Sequence, residues 1–190
     1  VTCQFHLSNL FYNFKIKKKP SDNILFLHED IINKNGVRNL EYPGYSTKKV
    51  LKDLFNVHKV LNLNSKILVK MHPSSIAKSN IYKKEPNNKF VKYIYSQSII
   101  KYMLSSKIII GMRSMAILEC IVLKLPVVSY QPGSFYERCS AVNLGLIKSL
   151  NTFVDLKKIF FSRKKIYIRK RKFGFIKKIE KINFNKIILN

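Results

Sequence analysis

Ile108-Ile109-Ile110-Gly111-Met112-Arg113-Ser114-Met115-Ala116-Ile117-Leu118-Glu119 is the stretch on which the fold turns. Three consecutive isoleucines read as a strand buried on both faces. Gly111 ends the strand, and Ser114 opens a helix predicted to run to about Leu123. Immediately downstream, Pro126-Val127-Val128-Ser129-Tyr130 reads as another strand, with its proline at the first position, where a strand tolerates one. A strand, a tight turn, a helix and a second strand make a parallel βαβ unit, and the right-handed crossover rule fixes its hand.

The same alternation continues upstream. Asn23 to His28 is a short apolar run with the length of a buried strand, and Glu29 to Tyr45 reads as a loop. From Ser46 onward, Val50, Leu51, Leu54, Phe55, His58 and Leu61 recur at helical spacing behind a capping residue. Lys66 to Met71 is a second strand, stopped by His72-Pro73 because proline cannot donate to a ladder. Phe90 to Tyr95 reads as a third strand and Ser98 to Ser105 as a short helix. The predicted class is α/β, a doubly wound parallel sheet of Rossmann-like type. Such sheets place ligands beyond the C-terminal ends of their strands, and His72-Pro73 and Gly111 to Ser114 both sit at such ends.

At 190 residues the chain has room for one such domain and not for two. We read residues 1–22, with Lys17-Lys18-Lys19-Pro20, as a linker or the remnant of a preceding domain, 23–150 as the domain itself, and 151–190 as a basic helical tail. The chain starts at Val1, and the expectation is that of a fragment lacking an N-terminal half.

Lys and Arg number 36 against 10 Asp and Glu, a formal charge of +26 that draws a protein toward polyanions or anionic membrane surfaces. The excess is concentrated at the end: 157–190 carry 13 Lys/Arg against Glu180 alone. Two accounts of the charge stand. Lys, Ile and Asn have A/T-rich codons, so drift in base composition raises all three; the shortage of acids argues for a functional part. The tail interleaves Ile159, Phe160, Phe161, Ile166, Ile168 and Phe173 with its cations. It reads either as an amphipathic element on an anionic membrane or as a terminal helix packed on the sheet with a solvated basic face. No apolar run reaches 18 residues, no signal-peptide core opens the chain, and Cys3, Cys120 and Cys139 match neither a disulfide framework nor a metal site. The compartment expected from this is a reducing cytoplasm, with peripheral attachment at the inner face of the membrane. Neither a paired acidic cluster for a metal nor a recognised nucleic-acid-binding motif is present in the sequence.

Several residues carry candidate chemistry. Gly111, Arg113 and Ser114 offer backbone N–H groups, a fixed cation and a hydroxyl to a phosphate; equally, Gly111 serves the turn and Ser114 the cap. Glu119 stands in an otherwise apolar helix, at a distance from Ser114 that suits the two hydroxyls of a ribose, or it is a surface carboxylate. His72 can hydrogen-bond a phosphate oxygen or protonate a departing phosphate, and it is also a common loop residue. His28, Glu29 and Asp30 follow the first strand and either face the crevice or are solvated loop residues. Gln131, after the fifth strand, is a positional candidate for a sugar pocket.

Together, Lys70-Met71-His72-Pro73, Ile108 to Ser114, Glu119 and Leu125-Pro126-Val127-Val128 resemble the C-terminal, nucleotide-sugar-binding half of the GT-B glycosyltransferases. The resemblance is nearest to bacterial surface-polysaccharide enzymes with a Lys-x-His-Pro motif, a group that includes sialyltransferases, capsule transferases and relatives of UDP-N-acetylglucosamine 2-epimerase. It spans about Asn23 to Gly145. It implies that His72 and Ser114 contact the donor's phosphates and Glu119 its ribose; the residues themselves add Lys70, Gly111, Arg113 and Gln131 to the expected substrate-binding set, with His72 as the catalytic residue. It also implies a nucleotide-sugar as substrate, no cofactor or metal, and a polysaccharide or lipid-linked acceptor. The family patterns Glu-Ala and Gly-x-Pro are here Glu119-Cys120 and Lys124-Leu125-Pro126. A nucleotide-sugar 2-epimerase is the alternative within the resemblance, and a basic nucleic-acid-binding module is the alternative outside it.

Overall fold

A computed structural model describes residues 21–31, 43–72, 90–95, 98–136 and 139–161. Among these residues six strands form one parallel sheet: β1 (Ile24–Leu27), β2 (Ile67–Lys70), β3 (Val91–Ile94), β4 (Ile108–Gly111), β5 (Val127–Tyr130) and β6 (Ser149–Leu150). Their order is β3-β2-β1-β4-β5-β6. β1 is the centre of the sheet, with Ile24 level with both Ile67 of β2 and Ile108 of β4. Among the described residues five helices accompany the sheet: α1 (Thr47–Val60), α2 (Ile100–Ser105), α3 (Ala116–Val122), α4 (Ser140–Asn143) and α5 (Phe153–Phe161).

Side chains of successive strand residues point to opposite faces, and both faces are covered, which is why the central strands are apolar throughout. Ile24, Phe26, Ile67, Val69, Ile108 and Ile110 meet Val50, Leu51, Leu54 and Val57 of α1 and Leu156 of α5. Leu25, Leu27, Leu68 and Ile109 face the other way, onto Met103 of α2, Ile117, Cys120 and Ile121 of α3, and Ala141 of α4. β3 lies at the sheet edge and carries the exposed Lys92, a charge that discourages further strand pairing. The start of the 151–190 segment, α5, packs against α1 with Leu156 fully buried, while residues 162–190 lie outside the described residues.

α1 begins where the sequence places it, with the Ser46 hydroxyl accepting from Lys49 N at 3.3 Å. α3 starts later than expected, at Ala116. Ser114 still serves its first turn, accepting from Ala116 N through Oγ at 3.2 Å and from Ile117 N through its carbonyl at 3.1 Å. Gly111 is needed for close packing of strand on helix: a Cβ there would lie 2.8 Å from two side-chain carbons of Ile117, which is fully buried. β6 and α4, of two and four residues, are too short to leave a period in the sequence.

The departure from Gly-x-Pro acquires a physical meaning here. Lys124 sits in the left-handed region, with φ +54°. Its N–H bonds the carbonyl of Ile121, and Leu125 N bonds that of Cys120 at 2.8 Å, the two bonds of a Schellman motif closing α3. That position favours glycine, because a Cβ is strained there. Lys124→Gly should therefore raise stability by roughly 0.5–1 kcal/mol, seen as an upward shift of the thermal midpoint; a fall would show that contacts of the lysine side chain outweigh the backbone strain.

Candidate functional site

In the order β3-β2-β1-β4-β5-β6, β1 and β4 lie side by side, but the chain leaves β1 over one face through α1 and leaves β4 over the other through α3. The two connections diverge beyond the C-terminal ends of β1 and β4, the topological switch point at which doubly wound sheets place their ligand crevice. The residues at its margins are His28-Glu29-Asp30 after β1, Met71-His72 after β2 and Met112-Arg113-Ser114 after β4.

One carboxylate joins the two sides. Glu29 Oε1 accepts from the backbone N–H of Arg113 and from that of Ser114, each at 2.8 Å. Its Oε2 lies 3.4 Å from Nε of the Arg113 guanidinium. The side chain of Glu29 is only 13% exposed, against 32% for Arg113. Burial raises the pKa of Glu29 above the usual carboxylate range, while the backbone amides and the guanidinium pull it back; the net shift is upward. Two successive amides and a guanidinium converging on one carboxyl group form an arrangement suited to any small oxyanion.

The loop that presents these amides is supported from beneath. Ser129 Oγ donates to the carbonyl of Met112 at 2.6 Å, Gln131 Nε2 donates to Ser129 Oγ at 2.9 Å, and Tyr45 Oη donates to Gln131 Oε1 at 3.3 Å. Ser129, Gln131, Tyr45 and Met112 are all fully buried. Gln131, a sugar-pocket candidate by position, thus spends its amide inside the protein, holding the loop. The loops after β1 and β5 are also tied together, Phe135 N donating to the carbonyl of Pro43 at 3.0 Å. Gly44, with φ +95°, makes this approach possible: a Cβ there would stand 2.6 Å from the carbonyl oxygen of Gly133.

On the β1–β2 side, His28 is buried, and burial lowers its pKa to about 4; Asp30 opposes that shift and His72 adds to it. His72 itself is exposed. Lys70, level with Leu27 of β1, is buried, donates from Nζ to the carbonyl of Met71 at 2.9 Å, and has its pKa lowered by desolvation. The structure thus brings Lys70 and His72 to the end of β2, beside His28, and Gly111, Arg113 and Ser114 to the end of β4, with Glu29 between the two groups. Glu119 is half-buried on α3. At 100° per residue it lies roughly 160° or more from Ile117 and Ile121, so the helix holds it away from the core.

Glu29 is the contact the sequence reading left open, between crevice and solvent. The signal available was its place directly after a strand; what sequence could not supply was that β1 and β4 are neighbours, a pairing between residues more than 80 positions apart.

No protein-family model and no curated protein sequence matches this chain. Among solved structures it is similar to the UDP-GlcNAc 2-epimerase of Methanocaldococcus jannaschii, crystallised in complex with UDP-GlcNAc and UDP, at 19% sequence identity and a TM-score of 0.51. The match covers 93% of this chain and 51% of that one, so the chain spans about half the length of its structural neighbour. At this identity the likeness shows the fold: a Rossmann-like α/β domain with a parallel six-stranded sheet.

Proposed function

We propose that this chain is the nucleotide-sugar-binding half of a two-domain enzyme of the GT-B type, taking its donor in the crevice between β1 and β4. The observation that carries this reading is the convergence of the Arg113 and Ser114 amides and the Arg113 guanidinium on one carboxylate at the crossover point. In this reading the phosphates of the donor meet Arg113 and Ser114. His72, exposed at the end of β2, supplies a proton to the departing phosphate, with Lys70 behind it, and Glu119 accepts from the ribose hydroxyls. Gly111 keeps α3 close to β4, and Gln131 holds the Met112–Ser114 loop from below. The reaction proposed is transfer of the sugar to a polysaccharide or lipid-linked acceptor at the cytoplasmic face of a membrane. Among the described residues no helix is long and apolar enough to cross a membrane.

A nucleotide-sugar epimerase requires the same ligand class, and its likeness to the structural neighbour keeps it as the second reading. Both predict that UDP or CMP protects the chain against thermal unfolding. Glu119→Gln should weaken binding of UDP or CMP several-fold while leaving the 2′-deoxy analogues nearly unaffected, as measured by calorimetry. Equal losses for both sugars would remove Glu119 from the ribose.

A further inference from the structure

Glu29 places a negative charge where the proposed function needs a phosphate. We propose that Glu29 is an internal competitor for that phosphate: its carboxylate holds the cradle formed by the Arg113 and Ser114 amides and the Arg113 guanidinium, and a nucleotide phosphate binds by displacing it. The inference rests on reading the crevice as a phosphate site.

Three observations support displacement over a permanent brace. First, both amides already have an acceptor at 2.8 Å, and the guanidinium has its anion at 3.4 Å. A phosphate cannot join them without standing against a second negative charge in a poorly solvated place, where like charges repel strongly. Second, the loop does not depend on Glu29 for its shape. Its Met112 carbonyl is held by Ser129, backed by Gln131 and Tyr45, and Ser114 is tied to the first turn of α3 through Ala116 and Ile117. The amides therefore keep their direction when the carboxylate leaves.

Third, the backbone of Glu29 is pinned, which confines the motion to its side chain. Its carbonyl accepts from the Thr47 hydroxyl and from Ile31 N, and Ile31 in turn accepts from Thr47 N at 3.0 Å. The preceding His28 N donates to the carbonyl of Lys70 at 2.9 Å. A swing of the Glu29 side-chain torsions is enough to open the cradle, and such rotations are fast. The device sets a threshold: every anion that takes the cradle loses the same factor in affinity, so a weak binder such as inorganic phosphate is held off at concentrations where a nucleotide, which also binds through its base and ribose, still enters.

The test uses the whole chain, with Glu29→Gln and Glu29→Ala, titrated calorimetrically at fixed salt with inorganic pyrophosphate and with UDP. Both variants should bind both probes more tightly, on the order of tenfold, the factor expected when the competent state is about a tenth of the population. The nearly isosteric glutamine serves as the readout should the alanine variant fold poorly. Weaker or unchanged binding in Glu29→Gln would overturn the proposal and make Glu29 a brace of the loop. Wild-type binding of UDP with such a loss would leave the phosphate reading standing, whereas no binding of either probe by wild type and variants alike would overturn that reading and the competitor with it.

Discussion

Arg113→Ala should weaken UDP or CMP binding by about 10- to 100-fold, the cost of one charge-assisted contact to phosphate at about 1.5–3 kcal/mol. The guanidinium is paired with the same carboxylate that the two amides hold, and those amides cannot compensate for its charge. The same substitution leaves Glu29, a largely buried carboxylate, with its backbone donors and without the cation that pairs with it among the described residues. Its carboxyl group should then move further up in pKa. Combined with Glu29→Gln, the double variant should recover part of the loss, because the repelling charge is gone; this non-additivity is the signature of two groups acting on one phosphate. Independent, additive effects would separate Arg113 from Glu29.

A second large effect belongs to His28. Its folded pKa of about 4 lies below the ordinary 6.5 because burial disfavours the charged ring. The unfolded chain therefore takes up a proton as pH falls through 6.5, while the folded chain resists until about pH 4. The stabilising contribution is complete above pH 6.5 and is lost progressively between 6.5 and 4. At about 1.4 kcal/mol per unit, that loss is about 3 kcal/mol, a large share of the stability of an ordinary domain. Glu29 works in the opposite sense: its raised pKa lets the folded state bind a proton first, so its contribution grows as pH falls. Comparing denaturant unfolding of wild type and His28→Gln over pH 4 to 7 isolates the histidine. The variant should lack the steep decline, and parallel curves would assign the acid sensitivity elsewhere.

The central sheet was legible because β1, β2, β4 and β5 are covered on both faces, so burial writes each as a continuous apolar run. α1 was legible from its cap and its period. The second half of the chain was less so. α3 begins two residues after Ser114, since Ser114 works as the turn before the helix, and β6 and α4 are shorter than any period. Glu119 stands out in the sequence because its helix reads as apolar all round; in the structure that helix buries only Ile117, Cys120 and Ile121 and turns Glu119 away from the core. For the site, the strand ends were readable one at a time, as Lys70 and His72 after β2 and Gly111, Arg113 and Ser114 after β4. Their relation through Glu29 was not, because it depends on the crossover that sets β4 beside β1. Gln131 could be placed after β5, but its full burial is set by Tyr45 and Ser129, which reach it from elsewhere in the fold.

The most direct test of the phosphate cradle is the behaviour of two backbone amides. In a ¹⁵N-labelled sample titrated with UDP or CMP at near-physiological salt, the Arg113 and Ser114 resonances should shift saturably and more than those of the exposed lysines Lys48, Lys52 and Lys59 on α1. Titration that leaves the Arg113 and Ser114 amides unmoved, or that shifts only the lysine-rich surface and vanishes as salt is raised, would contradict a nucleotide site between β1 and β4.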